Sequence, residues 1–255
     1  MFKQNTLFVG NVVEHRSELV STNDFALNLI AKTNPIEGFV ISTDFQLTGR
    51  GQIGSSWHSK AGQNLLLSII LQPKWLAIAN QFQLSQAMAL GIADTVKAYT
   101  PFQTTVKWPN DVFVKGKKIA GILIQNSLKR NQMNWSVVGI GLNVNQVDFP
   151  VEITNVTSIK ILSKKETALD KLKEKLFQNI EYRYLQLKST PGIILKDYLQ
   201  NLYQYQSWAN YQDVASGRLF EGQIIGVNKM GHLAVQRKEK LESIEYFDLK
   251  EIVFL

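Results

Sequence analysis

Four strand-forming segments, Thr104 to Trp108, Val112 to Lys115, Lys118 to Gln125 and Trp135 to Asn145, follow one another with short links, one of them a turn around Gly116. That run builds a sheet and constrains the fold more than any other part of the chain. Thr105, Val106 and Trp108 have β character, Pro109 cannot donate to a ladder and so closes the first strand, and Asn110-Asp111 supplies turn chemistry before the next. Lys107 is thereby held at a shaped strand end beside a hairpin. Taken alone, Lys107-Trp108-Pro109-Asn110-Asp111 suits a solvated strand lysine beside a core tryptophan equally well.

Ahead of this run, Thr6 to Val13 reads as a first strand, and Ser21-Thr22-Asn23 offers caps for a helix through Leu27 and Ile30 to about Ala31. Phe39 to Thr43 is a second strand, and a polar, glycine-bearing loop from Asp44 to Gln63 leads to the short apolar run Leu65 to Leu71, a buried strand. Phe82, Leu84, Ala87, Met88, Ile92 and Val96 keep a helical period over about Asn80 to Tyr99, and further helices are expected over roughly Glu166 to Lys188 and Pro191 to Tyr205. The expected class is α+β, a mixed β-sheet with helices on one side. From about Ser207, short alternating strands broken by Gly217, Gly222, Gly226 and Gly231 indicate a small C-terminal β-barrel. The expected units are therefore a core over 1–190, a connecting helix over 191–206 and the barrel over 207–255.

With 45% hydrophobic and 10% aromatic residues the 255-residue chain can bury a sizeable core. It has no cysteine, which excludes disulfides, thiolate catalysis and cysteine-based zinc sites and accords with a reducing cytoplasm. Met1 to Asn5 lacks the apolar region of a signal peptide, and no apolar run is long enough to span a bilayer, so a soluble, intracellular protein is expected. The net charge of +7 is mostly scattered lysine, and the densest basic stretch, Lys160 to Lys175, contains Glu166, Asp170 and Glu174 at helical spacing. Nucleic acid therefore ranks below an acidic protein or a small anionic substrate. His15, His58 and His232 form no metal-ligand spacing, and no metal ligands are identified.

Two more segments carry chemistry. In Thr48-Gly49-Arg50-Gly51-Gln52-Ile53-Gly54-Ser55-Ser56-Trp57, three glycines in six positions let the backbone approach a ligand, and Arg50 brings a planar charge suited to carboxylate or phosphate. A mobile surface loop with Trp57 packed back on the sheet fits the same pattern. In Val138-Gly139-Ile140-Gly141-Leu142-Asn143-Val144-Asn145, glycines inside an apolar strand suggest that something lies against its backbone, although a kinked core strand would look similar.

Together, Ser21-Thr22-Asn23, Gln46, Gly49-Arg50-Gly51, Lys107-Trp108-Pro109-Asn110-Asp111, Lys118-Ile119-Ala120-Gly121-Ile122-Leu123 and Gly139-Ile140-Gly141-Leu142-Asn143 resemble the biotin protein ligase family in order and approximate spacing. The resemblance covers about residues 1 to 190, with the tail similar to that family's SH3-like barrel. It implies an enzyme that joins biotin and MgATP to biotinyl-5′-AMP and passes biotin to a lysine of a biotin carboxyl carrier domain. Lipoate or octanoate ligation on the same scaffold, or biotin sensing without catalysis, are the rival readings. The family pattern gives Ser21, Thr22 and Gln46 to the ureido ring and Lys107 to the carboxylate end, with Asn23, Gly49, Arg50, Gly51, Gln52, Gly121 and Gly141 completing the biotin site. Arg50, Gly51, Gln52, Trp57, Asn110, Lys118 and Asn143 fall on the nucleotide side, and Lys107 and Arg50 are the expected catalytic cations. Only about twenty residues precede Ser21 and they hold no helix-turn-helix, so a monofunctional enzyme is expected, with no DNA or membrane partner, no tightly bound prosthetic group, and a monomeric or homodimeric state.

The pattern departs from the family at the loop. Well-known members read Gly-Arg-Gly-Arg-Arg-Gly, whereas Gln52 and Ile53 stand at the two further basic positions, which would leave more of the electrostatics to Lys107 and Arg50. The stacking aromatic that some relatives place after the glycine strand is also absent from Asn155 to Ile159.

Overall fold

The computed structural model describes residues 5–52 and 54–255, so Ile53 and the first four residues lie outside the described set. Its larger sheet has seven strands: β1 (Val13–Leu19), β2 (Val40–Gln46), β3 (Leu65–Leu71), β4 (Thr104–Lys107), β5 (Asp111–Val114), β6 (Lys117–Lys129) and β7 (Gln132–Leu142). They are ordered β1-β2-β3-β7-β6-β5-β4. Only β1 and β2 run parallel, and a parallel pair needs a crossover. That crossover is helix α1 (Thr22–Lys32). The remaining neighbours are antiparallel.

Every residue of β3 is buried, which requires cover on both faces of the sheet. On one face Val40, Leu67, Ile69, Leu71, Val138 and Ile140 meet α2 (Phe82–Lys97), α4 (Leu169–Ser189) and α5 (Pro191–Gln200) in one core. On the other, Ile41, Ile70, Trp135 and Val137 pack with Ala26 of α1 in a second, smaller core. The expectation of helices on one side is corrected by this: Val40 and Ile41 of β2 and every residue of β3 but Ser68 are apolar, so both faces need a partner.

The expected first strand is corrected as well. Residues 5–12 form turns, and β1 starts at Val13. The amides of Leu7, Phe8 and Val9 donate to the Glu181 carboxylate of α4 at 2.7, 2.7 and 2.9 Å, a geometry no ladder provides. Phe8 is apolar because its ring packs on Tyr184, 5.9 Å between centroids, and not because it lies in a sheet. The true β1, Val-Glu-His-Arg-Ser-Glu-Leu, is an edge strand with exposed charges and so carries no alternating signal. Other boundaries shift in smaller steps: α5 ends at Gln200, a short α3 (Ile159–Ser163) precedes α4, and β7 stops before Asn143.

The C-terminal segments β8 (Trp208–Asp213), β9 (Leu219–Val227), β10 (Leu233–Arg237), β11 (Ile244–Phe247) and β12 (Ile252–Phe254) form a five-stranded antiparallel sheet ordered β11-β10-β9-β8-β12. Arg237, only 11% exposed, ties it together by pairing with Asp213 at 2.9 Å and Glu245 at 2.8 Å while lying 4.0 Å over the Phe220 ring. Among the described residues no helix is long and apolar enough to cross a membrane.

Glu181→Ala leaves three amides without their acceptor, and a loss of roughly 2–4 kcal/mol is expected in urea unfolding. Glu181→Gln, with a single acceptor oxygen, should fall between that variant and the parent. Equal stability of all three proteins would refute the anchor.

Candidate functional site

Where α1, the end of β2 and the glycine positions of β6 and β7 converge, they enclose a cavity of about 140 Å³. Ser21 caps α1, its hydroxyl accepting from the Asp24 amide at 3.4 Å, and this places Thr22 and Asn23 at the cavity wall. Thr22 donates to Gln46 Oε1 from its amide at 2.8 Å and its hydroxyl at 3.2 Å. The Ser68 hydroxyl lies 2.8 Å from Thr22 Oγ1 and 2.6 Å from Asn23 Oδ1. Asn23 Nδ2 in turn donates to Leu123 O at 3.2 Å and Gln125 Oε1 at 2.9 Å. The result is a buried chain of amides and hydroxyls, fixed in orientation because each partner holds the next. Ser68 and Gln125 are not among the residues expected from the sequence. The signal for Ser68 is its being the one polar residue in Leu-Leu-Leu-Ser-Ile-Ile-Leu.

The glycines form a flat floor. Gly121 and Gly141 are register partners on β6 and β7, and the Trp57 indole lies across both. A Cβ on Gly141 would sit 2.4 Å from Trp57 Cε2, and one on Gly121 would sit 3.2 Å from Trp57 Cζ3. At Gly139 the neighbour is Asn23, whose Oδ1 would be 2.3 Å from an added Cβ. What lies on this strand's backbone is therefore the protein's own tryptophan and asparagine. The indole N–H of Trp57 is buried without a hydrogen-bond partner.

Trp57 arrives at the end of a hairpin closed by its own backbone, with Gly51 N donating to Ser55 O at 2.9 Å and Trp57 N to Gly49 O at 2.8 Å. Gly51 and Gln52 line the cavity, while Gly49 lines a second, larger cavity of about 770 Å³ across the hairpin. Arg50, Ser55, Ser56 and Trp57 border both. The Arg50 guanidinium faces Asp24 of α1, 3.1 Å away.

The two lysines separate. Lys118 lines the cavity, its Nζ 2.8 Å from Asp111 Oδ1 and 5.7 Å from the Trp57 ring. The contact with Asp111 is an ion pair without hydrogen-bond alignment, so that buried oxygen has no directed donor. Asn110 is locked to β6, its Nδ2 donating to Ile122 O at 2.7 Å and its carbonyl accepting from Ile122 N at 3.0 Å.

Lys107, expected at the carboxylate end, does not line this cavity. Its Nζ lies 5.1 Å from the Phe113 ring centre and 4.7 Å from that of Phe254. Burial lowers the proton affinity of this ammonium, Asp111 raises it and Lys118 lowers it again. The neighbouring Trp108 is buried, its indole donating to Gly231 O at 2.7 Å. Asn143, expected on the nucleotide side, does not line the cavity either: its Nδ2 donates to Thr157 O at 3.1 Å. Asn145 likewise donates to Thr167 O and accepts from Thr167 N, both at 2.9 Å. Both amides hold the segment that follows β7. Among the described residues no group of three or more His, Asp or Glu is arranged for a metal ion.

Residues 17–143 match the Biotin/lipoate A/B protein ligase family. The Bacillus spizizenii bifunctional ligase/repressor BirA is 28% identical over 236 residues, covering 91% of this chain and 72% of that protein. The Mycobacterium tuberculosis biotin acetyl-CoA-carboxylase ligase is 30% identical over 181 residues, 70% of this chain and 66% of that one. In fold, the chain is similar to the Aquifex aeolicus biotin protein ligase in complex with biotin and ATP, with a TM-score of 0.77 at 23% identity over 95% of this chain and 98% of that one. The chain belongs to the Biotin/lipoate A/B protein ligase family and is a ligase enzyme.

Proposed function

We propose that the chain is a biotin protein ligase, which activates biotin with ATP as biotinyl-5′-AMP and transfers it to a lysine of a carboxyl carrier domain. The observation that carries this reading is the pairing, within one cavity, of a buried amide and hydroxyl network with a single lysine ammonium, Lys118. A ureido ring offers two N–H donors and a carbonyl acceptor, which such a network can satisfy. A dithiolane or an alkyl chain offers none, and this favours biotin over lipoate or octanoate. The ligase names of the relatives support the same choice.

In the first step a biotin carboxylate oxygen attacks the α-phosphorus of ATP, the bond to the β-phosphate oxygen breaks, and diphosphate leaves. Two anions must approach, so fixed cations lower the barrier most. Lys118 is inside the cavity and takes the role that the sequence pattern gave to Lys107, while Arg50 stands at its rim on the hairpin. ATP enters as its Mg²⁺ complex. The ion's charge would neutralise part of the triphosphate as the two anions approach. In the second step the carrier lysine amine attacks the acyl carbon, AMP leaves and the amine loses its proton.

At about 140 Å³ the cavity is below the roughly 300–1,000 Å³ of ordinary ligand pockets, and outward movement of the Trp57 indole from Gly121 and Gly141 would enlarge it. Trp57 also borders the larger cavity across the hairpin, and its return over the adenylate would exclude water.

Protein incubated with biotin, MgATP and an apo carrier domain should transfer biotin, with lipoate and octanoate as poor competitors; no transfer, or preference for either rival acid, overturns the reading. Lys118→Met is expected to reduce adenylation about a hundredfold and Lys107→Met about tenfold or less, and the reverse order would return the catalytic role to Lys107. Gly139→Ala, which drives a methyl group into Asn23, should weaken biotin binding at least tenfold in calorimetry. Biotin binding unchanged in that variant would remove Asn23 from the ureido contacts.

A further inference from the structure

We propose that Phe254 is a positioning residue for adenylation: with Phe113 it seats the Lys107 ammonium away from the cavity and so leaves Asp111 to Lys118. The proposal rests on the ligase reading above. On β4 and β5, Lys107 and Asp111 are register partners, and Lys118 reaches the same carboxylate from β6 at 2.8 Å. Two ammonium groups thus stand within reach of one partly buried carboxylate. Only one of them faces the cavity.

The seat decides which. Ring faces attract a cation at about 6 Å or less from the centroid, and Lys107 Nζ has two of them, Phe113 at 5.1 Å and Phe254 at 4.7 Å. The first ring belongs to the larger sheet and the second to the C-terminal one. Phe254 is itself fixed edge-on by its register partner Tyr211, 5.3 Å away at 80°.

The surrounding contacts hold the two sheets in this relation. Trp108 donates to Gly231 O at 2.7 Å, Val106 N donates to Asn201 O at 2.7 Å, and Tyr203 N donates to Val106 O at 2.8 Å. The ring of Tyr203 lies 5.5 Å from that of Phe113. Lys107 and Trp108 are therefore docking groups for the C-terminal sheet, and Asn110 and Asp111, just beyond them, belong to the cavity. Without the Phe254 ring the Lys107 ammonium turns to Asp111, and Lys118 loses its partner and its aim.

Two measurements on the full chain test this. The first is biotin-dependent exchange of diphosphate into ATP. Phe254→Leu, which keeps apolar volume and removes the ring, should lower kcat three- to tenfold at unchanged Tm, whereas Phe254→Tyr should stay within twofold of the parent. In a Lys107→Met background Phe254→Leu should cost nothing further, and an additive loss there overturns the proposal. The second needs no substrate: reductive methylation read by mass spectrometry should label Lys107 and Lys118 at least threefold faster in Phe254→Leu. Unchanged labelling of both lysines overturns the seat whatever acid the enzyme uses, while faster labelling in a chain that gives no exchange with biotin leaves the seat standing and removes the biotin reading.

Discussion

The rest of the structure depends on β3, and its neighbour β7 over Trp135 to Ile140, being buried on both faces. A strand with a core on each side has no solvent-facing positions, so any polar group it carries must be satisfied inside the protein. Ser68 is that group on β3, and its hydroxyl draws Thr22 and Asn23 of α1 into a single network with Gln46. Because α1 is also the crossover between the one parallel pair of strands, its N-terminus is fixed by topology before any ligand is considered. The site is pre-organised by the same packing that stabilises the sheet.

The separation of the Lys107 and Lys118 ammonium groups follows from strand geometry. β4 and β5 are short and joined tightly, so the residues before the bend meet what lies behind the sheet's edge and the residues after it meet the cavity. Behind the edge stands the C-terminal sheet. A lysine in a pattern read along one dimension carries no mark of which side it serves. Lys118 lies opposite Phe113 in the ladder between β5 and β6, next to a register shift that turns its side chain toward Asp111.

What could be read from the sequence follows the strength of local signals. The apolar run of β3, the period of α2 and the hairpins from β4 to β7 are local and came through with small boundary shifts. The grouping of Ser21, Thr22, Asn23, Gln46, Gly121 and Gly141 around one cavity was legible only through motif order, since no single segment contains it. The missing parts are those that need the third dimension. Ser68 and Gln125 join the network across strands, β1 is an edge strand whose charges hide its period, and Glu181 stands 172 to 174 residues away from the amides it captures. Nothing in Phe8 or Val9 announces a carboxylate acceptor on a distant helix. The side-chain N–H groups of Asn143 and Asn145 donate to backbone carbonyls of the following segment, contacts that no motif announces, while Asn143 Oδ1 is buried without a partner.

The hairpin carrying Arg50 and Trp57 is a wall with a cavity on each side. A shared wall can act as a thermodynamic link: where two occupants favour the same wall position, the one that arrives second is spared the cost of setting it, and the two affinities change by the same factor in either order of arrival. In such an arrangement the sequence of binding events becomes a matter of rates and concentrations.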